Sequence, residues 1–347
     1  MRQLCLFVLL VGPILAADYK PPKTAWGDPD LQGTWTSDDT RGVPMERDTK
    51  LGERRYLTEQ ELAAREKQVQ QGQERLLNPG NNASPARAQA EALAAGTPVT
   101  NAGNGRGVDI APAPSHWVEA ARRASHATSQ VIDPPDGRIP ALTPEAQKRL
   151  AAKNELRRAR PASWENWSAY DRCITRGVAG SILPVIYGNG LEIHQGPGQV
   201  AIVYEMVHDH RIIPISTAAN PIQHADAKIK SYIGDAIGHW EGSTLVVETT
   251  NFIGGVLAVG VNGDGGPPYS DQLKLTEKFT RTAANSIDFE MTVNDPGTYV
   301  KPWTVAFPIT QEPGYEIFEY ACHEGNHAIP NSLSAARAED AADAKKK

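Results

Sequence analysis

Between residues 180 and 325 the chain alternates apolar and polar positions in short runs bounded by Gly, Pro, Asn and Asp. The runs are LEIHQ, QVAIVYE, RIIPIS, KSYIG, GHWE, TLVVETTNF, LKLTEKFTR, IDFEMTV, TYVKPWTVAFPI and YEIFEYAC. A period of two with turn residues between the runs predicts an antiparallel, mainly β domain of about ten strands. Turn chemistry falls where the runs end: GPG at 196–198, Gly242-Ser243, the link from Ala283 to Ser286, Asp295-Pro296-Gly297 and Glu312-Pro313-Gly314. Gly242-Ser243 fits a two-residue type II′ hairpin. No helical run separates the strands, which excludes a parallel α/β sheet. A meander of this length must bury one face and hide its edges. A closed or nearly closed β-barrel does both, with a two-sheet sandwich as the alternative. DLQGTW, residues 30–35, supplies a first strand ahead of the main series.

The pattern before this domain is different. Residues 18–165 form a polar, Pro-rich arm, residues 166–330 the barrel domain, and residues 331–347 a polar tail. Two surface helices are predicted in the arm. LTEQELAAREKQVQQGQERLL carries a capping box, Thr58 with Glu61. LTPEAQKRLAAKNELRRAR starts with Thr143 as cap and Pro144 at the first helical position. Between them, residues 78–115 are low in complexity and have little to bury, so they predict a mobile excursion. Residues 1–17 read as a secretory signal: Arg2, an apolar stretch from Leu4 to Leu15, then the small pair Ala16-Ala17. That stretch is too short to cross a bilayer and is broken by Pro13. The expected product is secreted or periplasmic, with no membrane anchor.

Loss of the signal removes Cys5 and leaves Cys173 and Cys322. An even pair in an oxidising compartment predicts a disulfide, the rival being two free buried thiols. Net charge is −6 and the pI near 5.9. With no basic patch and no Gly-rich phosphate loop, nucleic acids and nucleotides are disfavoured as partners.

Gly33-Thr34-Trp35 ahead of an antiparallel meander resembles the lipocalin-type, or calycin, pattern. DPDLQGTW, DPPDGRIP, DRCITRG, HWEGSTLVVETTNF and YEIFEYACHEGN together resemble a large group of secreted bacterial proteins with no assigned activity. The resemblance implies export and a barrel, and it carries over no catalytic residue.

Four strands each place a carboxylate among apolar neighbours. One face of LKLTEKFTR reads Leu273, Leu275, Glu277, Phe279, Arg281; in QVAIVYE, Ala201, Val203 and Glu205 share a face. Glu248 shares one with Val246 and Phe252, and Glu319 shares one with Ile317, Ala321 and His323. These acids either point to water or pair with Arg211 or Arg281. A turn over Val207–His210 would set Glu205 and Arg211 opposite each other across a hairpin, so an ion pair is expected there. Facing inward, the remaining acids would raise one another's pKa toward the range acid–base chemistry requires.

His208 and His210 could face one side and clasp a metal, and His323, His327 and Glu324 could add ligands. With the cysteines expected to pair and no HExxH motif present, no metal or other cofactor is assigned. The expected function is cofactor-independent acid–base chemistry, of isomerase, lyase or cyclase type, on a small, partly apolar molecule. Glu277, Glu248 or Glu319 would act as acid or base, His323 or His208 as proton shuttle, and Arg211 as anion stabiliser. Glu205, Arg281, Tyr204, Trp240, Phe279 and Trp303, with Phe289, would line the cavity. The alternatives are a non-catalytic carrier of an apolar ligand and a secreted interaction module. A carrier needs an apolar lumen, an enzyme an inward acid beside a second titratable group, and an interaction module a filled barrel with an exposed apolar patch.

Overall fold

The computed structural model describes residues 19–77, 121–312 and 314–346. The expected signal over 1–17 and the low-complexity segment 78–115 lie outside them. The described strands are β1 (Gly33–Thr36), β2 (Val131–Asp133), β3 (Gly190–Gly196), β4 (Gln199–Tyr204), β5 (His210–Pro214), β6 (Asp235–Glu241), β7 (Thr244–Thr250), β8 (Lys274–Ala283), β9 (Ser286–Asn294) and β10 (Trp303–Thr310). They form one antiparallel sheet in the order β5-β4-β3-β1-β10-β9-β8-β7-β6. β2 pairs with the start of β10 and β1 with its end, so the two short strands share one edge of β10.

The sheet curls until β5 meets β6. There the backbones touch through a parallel bridge from Ile215 to Gly238 and a hydrogen bond from Ser216 N to the Gly238 carbonyl, 2.7 Å. The result is a nearly closed barrel with one unsealed seam. Gly238 makes this approach possible, because a Cβ there would sit 2.8 Å from Ile215 Cδ1 and 3.0 Å from Ile213 Cγ2.

Period-two alternation fixes which side chains enter the barrel. Gly238, Val247, Glu277, Met291 and Val305 stand opposite one another across successive strands, as do Arg211, Ile202, Ile193 and Gly33. Turn chemistry agrees with geometry: Gly242 has φ +63° in the β6–β7 hairpin and Gly198 φ +75° between β3 and β4.

The described α-helices are α1 (Glu59–Leu77), α2 (Pro144–Arg158), α3 (Gly177–Ile182) and α4 (Ala328–Ala344). α1 has its capping box: Thr58 N donates to Glu61 Oε2 at 2.8 Å and Glu61 N to Thr58 Oγ1 at 3.3 Å. On α2, Thr143 Oγ1 accepts from Ala146 N at 3.1 Å. α3 is wholly buried, with Val178 and Ile182 in the barrel core. The tail predicted over 331–347 lies largely in α4.

Two predicted strands are not strands. Residues 230–234, KSYIG, run as a loop, and residues 315–322, YEIFEYAC, are irregular. The second has a clear cause. β10 already has β9 on one side and β1 with β2 on the other, so no free edge is left to receive the segment that follows. The segment passes β4 and the turn after it instead: the Tyr315 hydroxyl donates to Glu205 Oε2, and Tyr320 N approaches His208 Nδ1 at 3.4 Å.

Candidate functional site

The barrel interior is filled by its own side chains. Phe279, Phe289 and Phe307 stack across β8, β9 and β10 with ring centroids 5.0 and 5.2 Å apart, and Trp303 packs edge-on against Tyr299 at 5.5 Å. Trp35 closes the remaining space with its Nε1 donating to the Leu31 carbonyl, 3.0 Å. Arg281 lies over the Trp35 ring at 5.4 Å and donates to the Asp30 carbonyl at 2.9 Å, so it caps the core. Phe279 and Trp303 are core, and Trp240 is half-buried with its Nε1 shielded and without an acceptor among the described residues.

One predicted acid is inside. Glu277 is fully buried and receives two hydrogen bonds from Arg211, Nη1 to Oε2 and Nη2 to Oε1, both 2.6 Å. Burial opposes the Arg211 charge, but the carboxylate beside it prevails and raises the guanidinium pKa above its usual value. Tyr204 lies next to the pair, and burial first of all pushes its hydroxyl up from the usual phenol range.

The other predicted acids are elsewhere. Arg211 stands opposite Ile202, not Glu205, because the turn begins at Glu205 and spends Val207 (φ +64°) and His208 (φ +52°) on reversal. Glu205 accepts from the Tyr315 hydroxyl and from Gly190 N. Glu248 faces outward in an ion pair with Lys274, 2.6 Å, since Val247 takes the inward position on β7. Glu319 and His323 are exposed on the irregular segment after β10, and His208 is exposed in the β4–β5 turn. Cys173 and Cys322 form the disulfide, with Cα atoms 5.7 Å apart.

A larger space lies outside the barrel. A cleft of about 710 Å³ runs between α2, residues 164–174 and the 255–268 loop. Four large apolar side chains on it face solvent: Leu156, Trp164 (54% exposed), Ile174 and Val256. Local sequence builds each wall. Arg149, Lys153 and Arg157 recur every four residues and so share one face of α2. Ser163 and Asn166 form a capping box, and Asn166 Nδ2 reaches the Leu156 carbonyl at 3.2 Å, which pins the turn carrying Trp164 to the end of α2. The facing loop turns at Asn262 (φ +59°), whose Oδ1 accepts from buried Arg176 Nε at 3.0 Å.

The cleft is cationic. Arg149, Lys153, Arg157 and Arg172 line it against Glu165 and Asp264. Asp264 takes Lys153 at 2.9 Å and Arg157 beside it, and Arg149 donates to the Pro268 and Gly297 carbonyls and to Thr298 Oγ1. Arg172 is held differently. Its guanidinium lies 4.9 Å over the Trp164 ring and its Nε donates to the Ser168 carbonyl at 3.3 Å. Trp167 Nε1, on the same wall, is buried with no acceptor among the described residues. The sequence carries a signal for this site in the four-residue spacing of basic residues on α2 and in the paired tryptophans of SWENW, at the end of the polar arm.

A second cleft, of about 390 Å³, lies outside β9 and β10 between Arg47, Arg55, Tyr56, His126, Asp288 and Glu290. Arg47 is structural there, bonded to Thr128 Oγ1 at 3.0 Å and the Pro135 carbonyl at 2.6 Å.

Among the described residues no helix is long and apolar enough to cross a membrane, and no three His, Cys, Asp or Glu side chains are gathered as metal ligands would be. Comparison with protein families, with curated proteins and with solved structures finds no match. The barrel itself is compatible with a calycin-like fold.

Proposed function

We propose that the chain is an exported binding protein for a small, partly apolar molecule, held in the cleft between α2, residues 164–174 and the 255–268 loop. The barrel is then a scaffold. The observation that carries this reading is the contrast between the two spaces. The lumen is packed with Trp35, Phe279, Phe289, Trp303 and their neighbours, while Leu156, Trp164, Ile174 and Val256 stay exposed around one cleft of ligand size. The signal-like first residues, the disulfide and the resemblance to secreted bacterial proteins support export.

Titration with N-phenyl-1-naphthylamine, a neutral fluorescent probe, tests the site. Saturable one-to-one binding that weakens about tenfold in Trp164→Ala is expected. Binding that ignores Trp164→Ala and Val256→Ser would remove the cleft from consideration.

Acid–base chemistry in the barrel keeps one supporting observation, the buried cluster of Glu277, Arg211 and Tyr204 close to the open seam. It requires the β5–β6 seam to part and the ion pair to separate. A turnover that survives Glu277→Gln would end it.

A further inference from the structure

Resting on the cleft reading above, we propose that the molecule taken there is an aromatic carboxylate, its ring lying along Trp164, Ile174 and Val256 and its anionic group on Arg172.

Charge selects the sign. The chain carries a net charge of −6, yet this cleft gathers four cations against two carboxylates. Two of the cations are already paired, since Lys153 and Arg157 converge on Asp264 and Arg157 also approaches Asp171 at 3.9 Å. Arg149 gives Nε and Nη2 to the Pro268 and Gly297 carbonyls and Thr298 Oγ1, which ties α2 to the barrel loops and leaves only its Nη1 open. Arg172, with a complete terminal fork open, is the cation best placed for a ligand. Among the described residues no carboxylate meets it, and its two terminal amino groups carry no hydrogen bond.

Geometry selects the shape. A guanidinium lying over an indole keeps its in-plane N–H fork available, and that fork matches a carboxylate in two parallel bonds. The apolar walls beside it suit a flat ring, for which Trp164 offers an exposed stacking surface. Arg172 is also held in place rather than left to wander. It adjoins Cys173, whose disulfide fixes the backbone, and Asn326 Nδ2 braces the Asp171 carbonyl at 2.7 Å. A cation so placed loses little freedom when an anion docks.

The discriminating experiment is calorimetric titration of the full chain, disulfide intact, with 2-naphthoate, 2-naphthamide and 2-naphthylmethylammonium. These share one ring system and differ in charge. The expected result is an acid that binds about tenfold tighter than the amide, with the ammonium weakest. Arg172→Gln should bring acid and amide to within about threefold by weakening the acid alone, and Arg172→Lys should restore part of the difference. An acid no tighter than the amide overturns the inference while leaving the cleft reading in place, provided amide binding still depends on Trp164. A preference that persists in Arg172→Gln also overturns it, because the anion would be read elsewhere. If none of the three compounds binds, the cleft reading fails and takes this inference with it.

Discussion

Arg211 and Glu277 meet inside the barrel through two hydrogen bonds of 2.6 Å, with side chains 3% and 0% exposed. Arg211 comes from β5 and Glu277 from β8, strands separated around the wall by the open seam, β6 and β7. The pair therefore joins the two sides of the seam where backbone bonding is sparse. An ion pair in this setting gains little over a well-packed apolar pair, because desolvating both charges offsets their attraction. Removing one partner is another matter. Glu277→Gln leaves a buried guanidinium without its counter-charge and is expected to cost about 3–5 kcal/mol in urea unfolding. Arg211→Met with Glu277→Met should stay within about 2 kcal/mol of the parent. A loss under about 1 kcal/mol for Glu277→Gln would show that water reaches the pair.

Glu277 is visible in the sequence as a carboxylate on an apolar face, yet its partner is not. A period of two tells which residues of a strand share a face, whereas the neighbour across a lumen depends on how many strands close the sheet and where the seam falls. Hairpin logic pairs Glu205 with Arg211, but the extra residues used to reverse the chain move the register so that Ile202 stands opposite instead. Strand alternation locates Phe279, Trp303 and Tyr204 in the interior, but alternation in residues 315–322 misleads, because a strand also needs an edge to pair with. The basic spacing on α2 is legible as one helix face. Its convergence with Trp164 and Val256 is not, since those lie on loops placed by the tertiary fold.

The first turn of α1 should be acid-sensitive. Glu61 is bonded to Arg54, 2.8 Å at Oε1, and to Thr58 N, and these bonds, the Arg54 one foremost, hold its pKa down to about 2. A pKa lower in the folded chain means stabilisation that is complete above the ordinary glutamate value and fades as pH falls toward about 2. Protection factors at Thr58 and Glu61, that is, amide exchange corrected for its intrinsic pH dependence, should fall over that interval and stay level between pH 6 and 8. Glu61→Gln should abolish the acid dependence. Unchanged protection down to pH 2.5 would mean that the cap holds without its charge.

Two glycines in helices should respond to alanine with opposite signs. Gly72 in α1 has open space where an alanine methyl would stand, so Gly72→Ala should stabilise by up to about 1 kcal/mol through helix propensity. At Gly180 in α3 the same methyl would run into the backbone of Asn262 and Gly263, the turn that Arg176 holds against the cleft. Gly180→Ala should therefore destabilise by about 1–3 kcal/mol, as overpacking does. Thermal melts of both variants check the pair, and a stabilised Gly180→Ala would mean that the 261–263 turn yields freely.

The disulfide should matter twice, once for the whole chain and once for the cleft. Cys173 and Cys322 are 149 residues apart, so in the chain-entropy account the bridge contributes at most about 5 kcal/mol by restricting the unfolded chain. Its local effect follows from what else binds the C-terminal segment. Arg160 reaches Asp340 at 2.7 Å and Asp343 at 3.0 Å, and Arg337 donates to the Pro161 and Ala162 carbonyls, all on exposed side chains. Exposed ion pairs contribute little and are screened by salt. Without the bridge, α4 should be tied to the 160–174 rim mainly by these exposed contacts and by Asn326 on the Asp171 carbonyl. In Cys173→Ser with Cys322→Ser, amide exchange over 160–174 and 328–344 should rise more than in the barrel strands, and rise further in 0.5 M salt. Naphthylamine binding in the cleft should weaken in parallel, because the rim carrying Trp164 and Arg172 is no longer fixed. Should the rim stay as protected as β8 and β9, its order would have to come from packing against α2, and the bridge would act on the unfolded chain only.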